Sequence, residues 1–154
     1  MQFYSTNRKT SPVSLREAVV RGLAADRGLF MPEVIRRFPP AFYQNMKEMT
    51  LREISFVVAE AFFGEDVEAG KLKEIVDETL NFDIPLVKVA DNRYSLELFH
   101  GPTLAFKDVG ARFMARLLAY FNKQEGERQV NVLVATSGLS LIHISEPTRP
   151  ISIS

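Results

Sequence analysis

The 154-residue chain contains no cysteine and only two histidines, and its nineteen basic residues balance nineteen acidic ones. The absence of cysteine excludes disulfide bonds and thiolate metal sites. No apolar run approaches the roughly 20 residues that a membrane-spanning helix needs. The N-terminus also lacks the apolar core of a secretory signal. Because the net charge is zero, nothing favours binding to nucleic acid or to an anionic membrane. We expect a cytoplasmic protein.

What the chain does contain is typical of a globular protein, with 46% hydrophobic and 25% charged residues. Its glycines form neither a dinucleotide-binding loop nor a Walker loop. The acidic residues Glu65, Asp66 and Glu68 are typical of a solvated turn, so we predict no metal site.

Residues 1–82 are predicted to form a mostly helical lobe that opens with a short strand at residues 2–5. Two serine or threonine residues stand three positions before a glutamate, which predicts helix starts at Ser14 and Thr50. The first helix should end near Gly22 and the second near Gly64. A third helix is expected over residues 71–80. Its apolar face would contain Leu72, Ile75, Val76 and Leu80, and that of the second helix Leu51, Ile54, Val58, Ala61 and Phe62.

Residues 83–138 are predicted to begin an α/β domain. Alternating residues at 86–89 and 94–98 indicate a hairpin. A helix follows, and a compact apolar run at 130–136 is typical of a buried parallel strand. A strand, a helix and a buried strand suggest a βαβ unit. Thr136, Ser137 and Gly138 would lie at the carboxyl end of that strand, where α/β sheets bind ligands.

Lys107 follows the turn at Gly101 and Pro102 and lies near the predicted start of this helix. The first helical turn presents free backbone N–H groups and the positive end of the dipole. Such a setting, with partial desolvation, favours a neutral lysine, which can attack an aldehyde and form a Schiff base. Gly110 and neighbouring small residues leave room for a flat ligand. Taken alone, a lysine at such a junction is more often a solvated surface charge.

Several ordered motifs make residues 1–138 resemble threonine synthases. The most specific is the stretch around Lys107, which resembles the cofactor-lysine motif of these enzymes: His100-Gly101-Pro102-Thr103-Leu104-Ala105-Phe106-Lys107-Asp108. Three further stretches are similar to the family's opening strand, to a glycine-rich segment and to the start of a substrate loop. They are Tyr4-Ser5-Thr6-Asn7, Gly22-Leu23-Ala24-Ala25-Asp26-Arg27-Gly28-Leu29-Phe30-Met31-Pro32 and Val134-Ala135-Thr136-Ser137-Gly138.

The resemblance implies the N-terminal part of a fold type II pyridoxal-phosphate enzyme, similar to the tryptophan synthase β chain. In this family Lys107 would carry pyridoxal 5'-phosphate, and Thr136, Ser137 and Gly138 would bind the substrate carboxylate. The full-length enzyme would convert O-phospho-L-homoserine and water into L-threonine and phosphate. The 154-residue chain by itself is expected to be inactive, because the family places the cofactor's phosphate-binding loop later in the chain.

After Gly138 the pattern of the family that the chain resembles continues with Asp-Thr-Gly, and this sequence departs from it at Leu139. Residues 139–149 match the in-frame translation of a transposase sequencing adapter: Leu139-Ser140-Leu141-Ile142-His143-Ile144-Ser145-Glu146-Pro147-Thr148-Arg149. We therefore expect residues 139–154 to be a non-native tail, and His143 has no functional meaning in this interpretation.

Three alternatives stay open at the level of sequence. One is another enzyme of the same fold group, such as a threonine-synthase-like phospholyase or a threonine dehydratase. Another is a non-catalytic binding protein that keeps the lysine for a different reason. The third is a short interaction module.

Overall fold

The computed structural model describes residues 1–124 and Gly126. Its backbone contacts divide the chain into two compact units, the first Met1–Glu78 and the second beginning at Thr79.

The first unit contains a three-stranded antiparallel sheet with the strand order β2-β1-β3. Its strands are β1 Gln2–Ser5, β2 Val13–Ser14 and β3 Phe30–Pro32. Phe3 lies opposite Val13 on one side and Pro32 on the other. Phe3 and Ser5 are buried while Gln2 is exposed, which is the alternation expected of a strand with one covered face. The predicted strand at residues 2–5 is therefore confirmed.

Four helices complete this part of the chain: α1 Leu15–Arg21, α2 Pro40–Asn45, α3 Leu51–Phe63 and α4 Ala69–Thr79. Both predicted helix starts are confirmed. The Thr50 side chain accepts a hydrogen bond from the Glu53 backbone, and the Glu53 side chain accepts one from the Thr50 backbone. Ser14 likewise accepts from the Glu17 backbone. The Glu17 carboxylate instead pairs with Arg21. The predicted ends at residues 22 and 64 also match the structure.

The core of the first unit is centred on α4. Leu72, Ile75 and Val76, three of the apolar residues predicted for this helix, are buried, and Leu72 has no exposed surface. The fourth, Leu80, is also buried but lies in the second unit. The face predicted for α3 is less deeply covered. Leu51 is 42% exposed, because it lies in the first turn, and the buried residue of this helix is Ala59. The other buried apolar side chains of this unit are Phe3, Leu15, Ala18, Val19, Ala24 and Val67.

The second unit begins with a hairpin and continues into a long helix. Strands β4 Leu86–Ala90 and β5 Arg93–Leu96 pair antiparallel, and Asn92 adopts a positive φ of 58° in the turn between them. This confirms the predicted hairpin, although β5 ends two residues early. Helix α5 spans Lys107–Gln124 and buries Leu117 and Phe121. The predicted strand at 130–136, and with it the βαβ unit, lies outside the described residues.

Among the described residues, none of the helices has both the length and the apolar character that crossing a bilayer requires.

Candidate functional site

A tight loop at residues 101–106 leads into α5 and fixes where Lys107 begins the helix. The Leu104 N–H donates to the Gly101 carbonyl at 3.0 Å, and the Asp108 N–H donates to the Ala105 carbonyl at 3.1 Å. Leu104 has a positive φ of 54°, a conformation that a branched side chain seldom adopts. The loop is thus held by specific contacts and not by the local preference of its residues.

The Nζ atom of Lys107 is buried and has no hydrogen-bond partner among the described residues. A lysine ammonium has three donors, and leaving such a group buried without a partner costs free energy. The Thr103 hydroxyl in the preceding loop is buried and unpartnered in the same way. Buried polar groups without a partner are uncommon in native proteins, and a catalytic role is one explanation for them. The Thr10 and Thr79 hydroxyls are also buried without a partner among the described residues, but neither of them can attack an aldehyde as an amine can. The sequence motif identified Lys107 but gave no reason to select the Thr103 hydroxyl.

The next residue, Asp108, is only 3% exposed. Its Oδ2 accepts a hydrogen bond from the Thr103 N–H at 2.9 Å. Asp108 therefore binds the loop that precedes Lys107, in addition to being the acid in the first turn of α5.

The neighbouring His100 pairs with a side chain and not with the turn backbone. Its Nε2 lies 2.7 Å from Glu97 Oε2, and its ring stacks on Phe99 with 4.8 Å between the centroids. His100 is therefore paired with a carboxylate three residues earlier in the chain.

The surface next to Lys107 is open and partly apolar. Gly110 has no described atom within 4 Å of the position that a Cβ would occupy, and Ala111 and Met114 are exposed. No described residue approaches Gly110 closely, so this glycine leaves free space on that face of α5. Leu104 and Phe106 are also exposed, at 64% and 73%. These features make that side of α5 an open, partly apolar surface.

The other predicted site residues, Thr136, Ser137 and Gly138, lie outside the described residues. Within the described part of the chain, no three histidine, cysteine, aspartate or glutamate residues gather in a way that could hold a metal ion.

A second polar cluster, in the first unit, joins two of the motifs that the sequence analysis treated separately. The Asp26 carboxylate accepts from the Ser5 hydroxyl at 2.5 Å, from the Gly28 N–H at 3.0 Å and from the Lys9 N–H at 2.9 Å. The Asn7 side-chain amide donates to the Asp26 carbonyl at 3.0 Å. The sequence reasoning missed this cluster, since its members are separated by about twenty residues and no periodicity connects them.

Hydrogen bonding to the charged form determines the electrostatics of this cluster. The Ser5 hydroxyl, followed by the Gly28 and Lys9 backbone N–H groups, holds the pKa of Asp26 below its ordinary value of 3.8. Gly28 is required here, because a Cβ at this position would lie 2.0 Å from Ser5 Oγ and 2.9 Å from the Asn7 nitrogen. The cluster is thus a close-packed junction of β1 with the segment before β3.

A shallow cleft of about 430 Å³ lies beside β1 and is lined by Tyr4, Arg8, Thr10, Pro12 and Glu33. The Arg8 guanidinium lies 4.3 Å from the centre of the Tyr4 ring, a cation–π contact. The cleft belongs to the first unit and contains none of the residues that the sequence predicts for catalysis.

Comparison with known proteins gives a consistent set of relatives. A family profile described as "Threonine synthase N terminus" matches residues 2–80. The threonine synthase of Serratia marcescens is 40% identical over 138 residues, which are 90% of this chain and 32% of that protein. That of Haemophilus influenzae is also 40% identical, over 90% of this chain and 31% of that protein. The chain therefore spans about a third of the length of the curated relatives it matches.

Solved structures agree with these relatives. Threonine synthase from Escherichia coli matches with a TM-score of 0.74 and 36% identity, covering 79% of this chain and 28% of that one. PLP-bound threonine synthase from Brucella melitensis matches with a TM-score of 0.78 and 34% identity, covering 83% and 29%. The expected fold class, the N-terminal part of an α/β enzyme of pyridoxal-phosphate fold type II, is confirmed by this likeness.

Proposed function

The chain belongs to the threonine synthase N-terminal family, and we propose that it forms the first part of a pyridoxal-phosphate enzyme of this activity. The full-length protein would convert O-phospho-L-homoserine and water into L-threonine and phosphate. The observation that carries the proposal is the Nζ of Lys107, which is buried and unpartnered at the first residue of α5.

The described residues fit pyridoxal 5'-phosphate. A buried amine without a hydrogen-bond partner is free to form a covalent bond to an aldehyde carbon. The open face at Gly110 leaves space for a planar ring. A structural lysine would instead be expected to reach water or a carboxylate. When bound, the cofactor supplies an electron sink for charge that develops on the substrate.

Lys107 has two assigned tasks in this proposal. Its Nζ holds the cofactor, and the same atom moves protons to and from the substrate. The second task requires a nitrogen that is not committed to another acceptor, as observed for Nζ among the described residues. The preceding 101–106 loop holds the lysine at the beginning of α5, so that its backbone position is set before the cofactor binds.

We assign Thr136, Ser137 and Gly138 to the substrate carboxylate. Hydroxyl groups and backbone N–H groups at the end of a strand and the start of a helix form a concave site for an anion. The resemblance of residues 134–138 to the family's substrate loop supports this assignment.

We propose a division into a helical lobe at residues 1–82, the start of the cofactor domain at 83–138, and a non-native tail at 139–154. The 154-residue chain alone should lack activity, because it spans only about a third of the relatives' length. We place the protein in the cytoplasm.

Phosphate release from O-phospho-L-homoserine by the full-length protein tests the proposed function. We expect the Lys107→Ala variant to lose about a thousandfold or more of the rate, since both tasks of Nζ are removed. Lys123→Ala, in the last turn of the same helix and exposed to solvent, is the matched control and should retain activity. An inactive parent protein, or a Lys107→Ala variant that works as well as the control, would contradict the proposal.

A further inference from the structure

Asp108 lies next to Lys107 and contacts the backbone of the loop that precedes it. We propose that Asp108 is a positioning residue: its carboxylate latches the 101–106 loop and so keeps Lys107 Nζ in its buried place. This inference rests on the proposed function, because the position of Nζ matters only if the cofactor binds there.

The burial of Asp108 is the first observation behind the latch. A carboxylate that is only 3% exposed loses most of its hydration, which is costly unless a donor replaces the water. The Thr103 N–H supplies that donor at 2.9 Å. This hydrogen bond joins the loop to the first turn of α5, and breaking it would be costly because the acceptor is buried.

The loop backbone also packs directly against the carboxylate at Gly101. A Cβ on Gly101 would lie 2.5 Å from Asp108 Oδ2 and 2.8 Å from Asp108 Cβ. Only a glycine allows the chain to pass this close. Asp108 therefore contacts the loop twice, through a hydrogen bond at Thr103 and through steric contact at Gly101.

The loop needs such an external constraint. Leu104 holds a positive φ of 54°, which persists only where the surroundings impose it. The Leu104 N–H bonds to the Gly101 carbonyl, so a shift of Gly101 is transmitted to Leu104. Three residues after Leu104 the chain enters α5 at Lys107, and the placement of Nζ follows from this path.

A competing explanation is that Asp108 is simply an acid that favours the positive end of α5. The two explanations differ in their response to asparagine. Asp108→Asn keeps an oxygen that can accept from the Thr103 N–H but removes the charge. The latch predicts that asparagine largely replaces aspartate, whereas the dipole explanation predicts that it fails as badly as alanine.

The test measures the rate at which the cofactor attaches to Lys107 and not the rate of catalysis. Full-length protein is mixed with pyridoxal phosphate, reduced with borohydride at timed intervals, and the label on the Lys107 peptide is measured by mass spectrometry. We expect Asp108→Ala to lower the attachment rate about tenfold or more, the size expected when a partly buried backbone donor loses its acceptor. Asp108→Asn should remain within about threefold of the parent.

Two further variants keep the test decisive. In Gly101→Ala the added methyl group would clash with the Asp108 carboxylate, so this variant should also attach the cofactor more slowly. It serves as the test if thermal unfolding shows that Asp108→Ala does not fold. Asp91→Ala removes a carboxylate that is 97% exposed and paired with Lys88, and should attach the cofactor like the parent.

The outcomes separate the latch from the proposed function. Normal attachment in folded Asp108→Ala and Gly101→Ala would overturn the latch and leave the function standing. Equal losses in Asp108→Asn and Asp108→Ala would also overturn it, in favour of the charge at the helix terminus. If the parent protein attaches no cofactor at Lys107, both the function and the latch are wrong.

Discussion

Two single residues hold polar groups in unusual settings, and they differ in kind. Lys107 Nζ is buried with no partner among the described residues, whereas the Asp26 carboxylate accepts three hydrogen bonds. The first arrangement costs stability and is typical of a functional group. The second satisfies its acceptor and is typical of a structural junction. The contrast supports a functional role for Lys107 and a structural one for Asp26.

The Asp26 cluster predicts a specific dependence of stability on pH. The pKa of Asp26 is lower in the folded chain than its ordinary value of 3.8, chiefly because of the Ser5 hydroxyl. The contribution of Asp26 to the free energy of unfolding is fully present above the pKa of this residue in the unfolded chain. It is lost as the pH falls through the lower pKa of the folded chain. Asp26→Asn should therefore lower the urea midpoint at neutral pH and reduce the loss of stability on acidification.

Urea unfolding between about pH 7 and about pH 2, across the range in which carboxylates titrate, measures this effect. Asp77→Asn, which alters an exposed pair with Lys73, is the control and should change the midpoint little. If the urea midpoints of the parent and of Asp26→Asn fall by the same amount on acidification, the cluster contributes no pH-dependent stability.

At the level of elements, helices α1 and α3 of the first unit begin where a side chain replaces a missing backbone partner, whereas α2 begins at prolines without a side-chain cap. Thr50 and Glu53 satisfy each other's backbone N–H groups at the start of α3, and the Thr50 N–H is the main cause of the lowered pKa of Glu53. Ser14 supplies one half of the same arrangement at α1. A serine or threonine three positions before a glutamate is a local signal that can be read from the sequence. It located both helix starts correctly.

Removing the capping side chain should destabilise α3. We expect Thr50→Ala to lower the free energy of unfolding by about 1 kcal/mol, the usual cost of losing an N-cap. Thr50→Ser keeps the hydroxyl and should stay close to the parent in the same urea titration. If alanine and serine give the same midpoint, the hydroxyl at this position does not stabilise the helix.

Over the whole molecule, the sequence predicted what depends on local patterns. The strand at residues 2–5, the capped helices, the buried face of α4 and the hairpin all follow from spacing or from a turn signal. Strand β2 was missed because it has only two residues, which is too short to show the alternation of apolar and polar residues typical of a strand. The Asp26 cluster and the Asp108 contact were missed because they depend on three-dimensional proximity. The residues around Lys107 alone suggested that it binds a ligand, and only the family resemblance identified that ligand as pyridoxal phosphate.

The core around α4 gives a prediction for the molecule as a whole. Leu72 has no exposed surface, whereas Leu51 is 42% exposed. The same substitution at both positions therefore compares a buried leucine with an exposed one. Leu72→Ala should cost about 2–5 kcal/mol, the range for a buried leucine, and Leu51→Ala clearly less. Thermal or urea unfolding compares the two variants, and equal losses would contradict the assignment of the core.

The interpretation of residues 139–154 is also tested on the whole molecule. Since residues 139–149 match a translated adapter, sequencing the source DNA across the Gly138 codon should give a different continuation. The family pattern predicts Asp-Thr-Gly directly after Gly138. A genomic clone that retains Leu139 and the residues after it would show that the tail is genuine.

The central claim is that Lys107 carries the cofactor, and peptide mapping tests it most directly. Full-length protein is saturated with pyridoxal phosphate, reduced with borohydride, digested and analysed by mass spectrometry. We predict a single strongly labelled peptide, modified at Lys107, and no labelling there in Lys107→Ala. Labelling spread over exposed lysines such as Lys123, or an unmodified Lys107 in saturated protein, would contradict the claim.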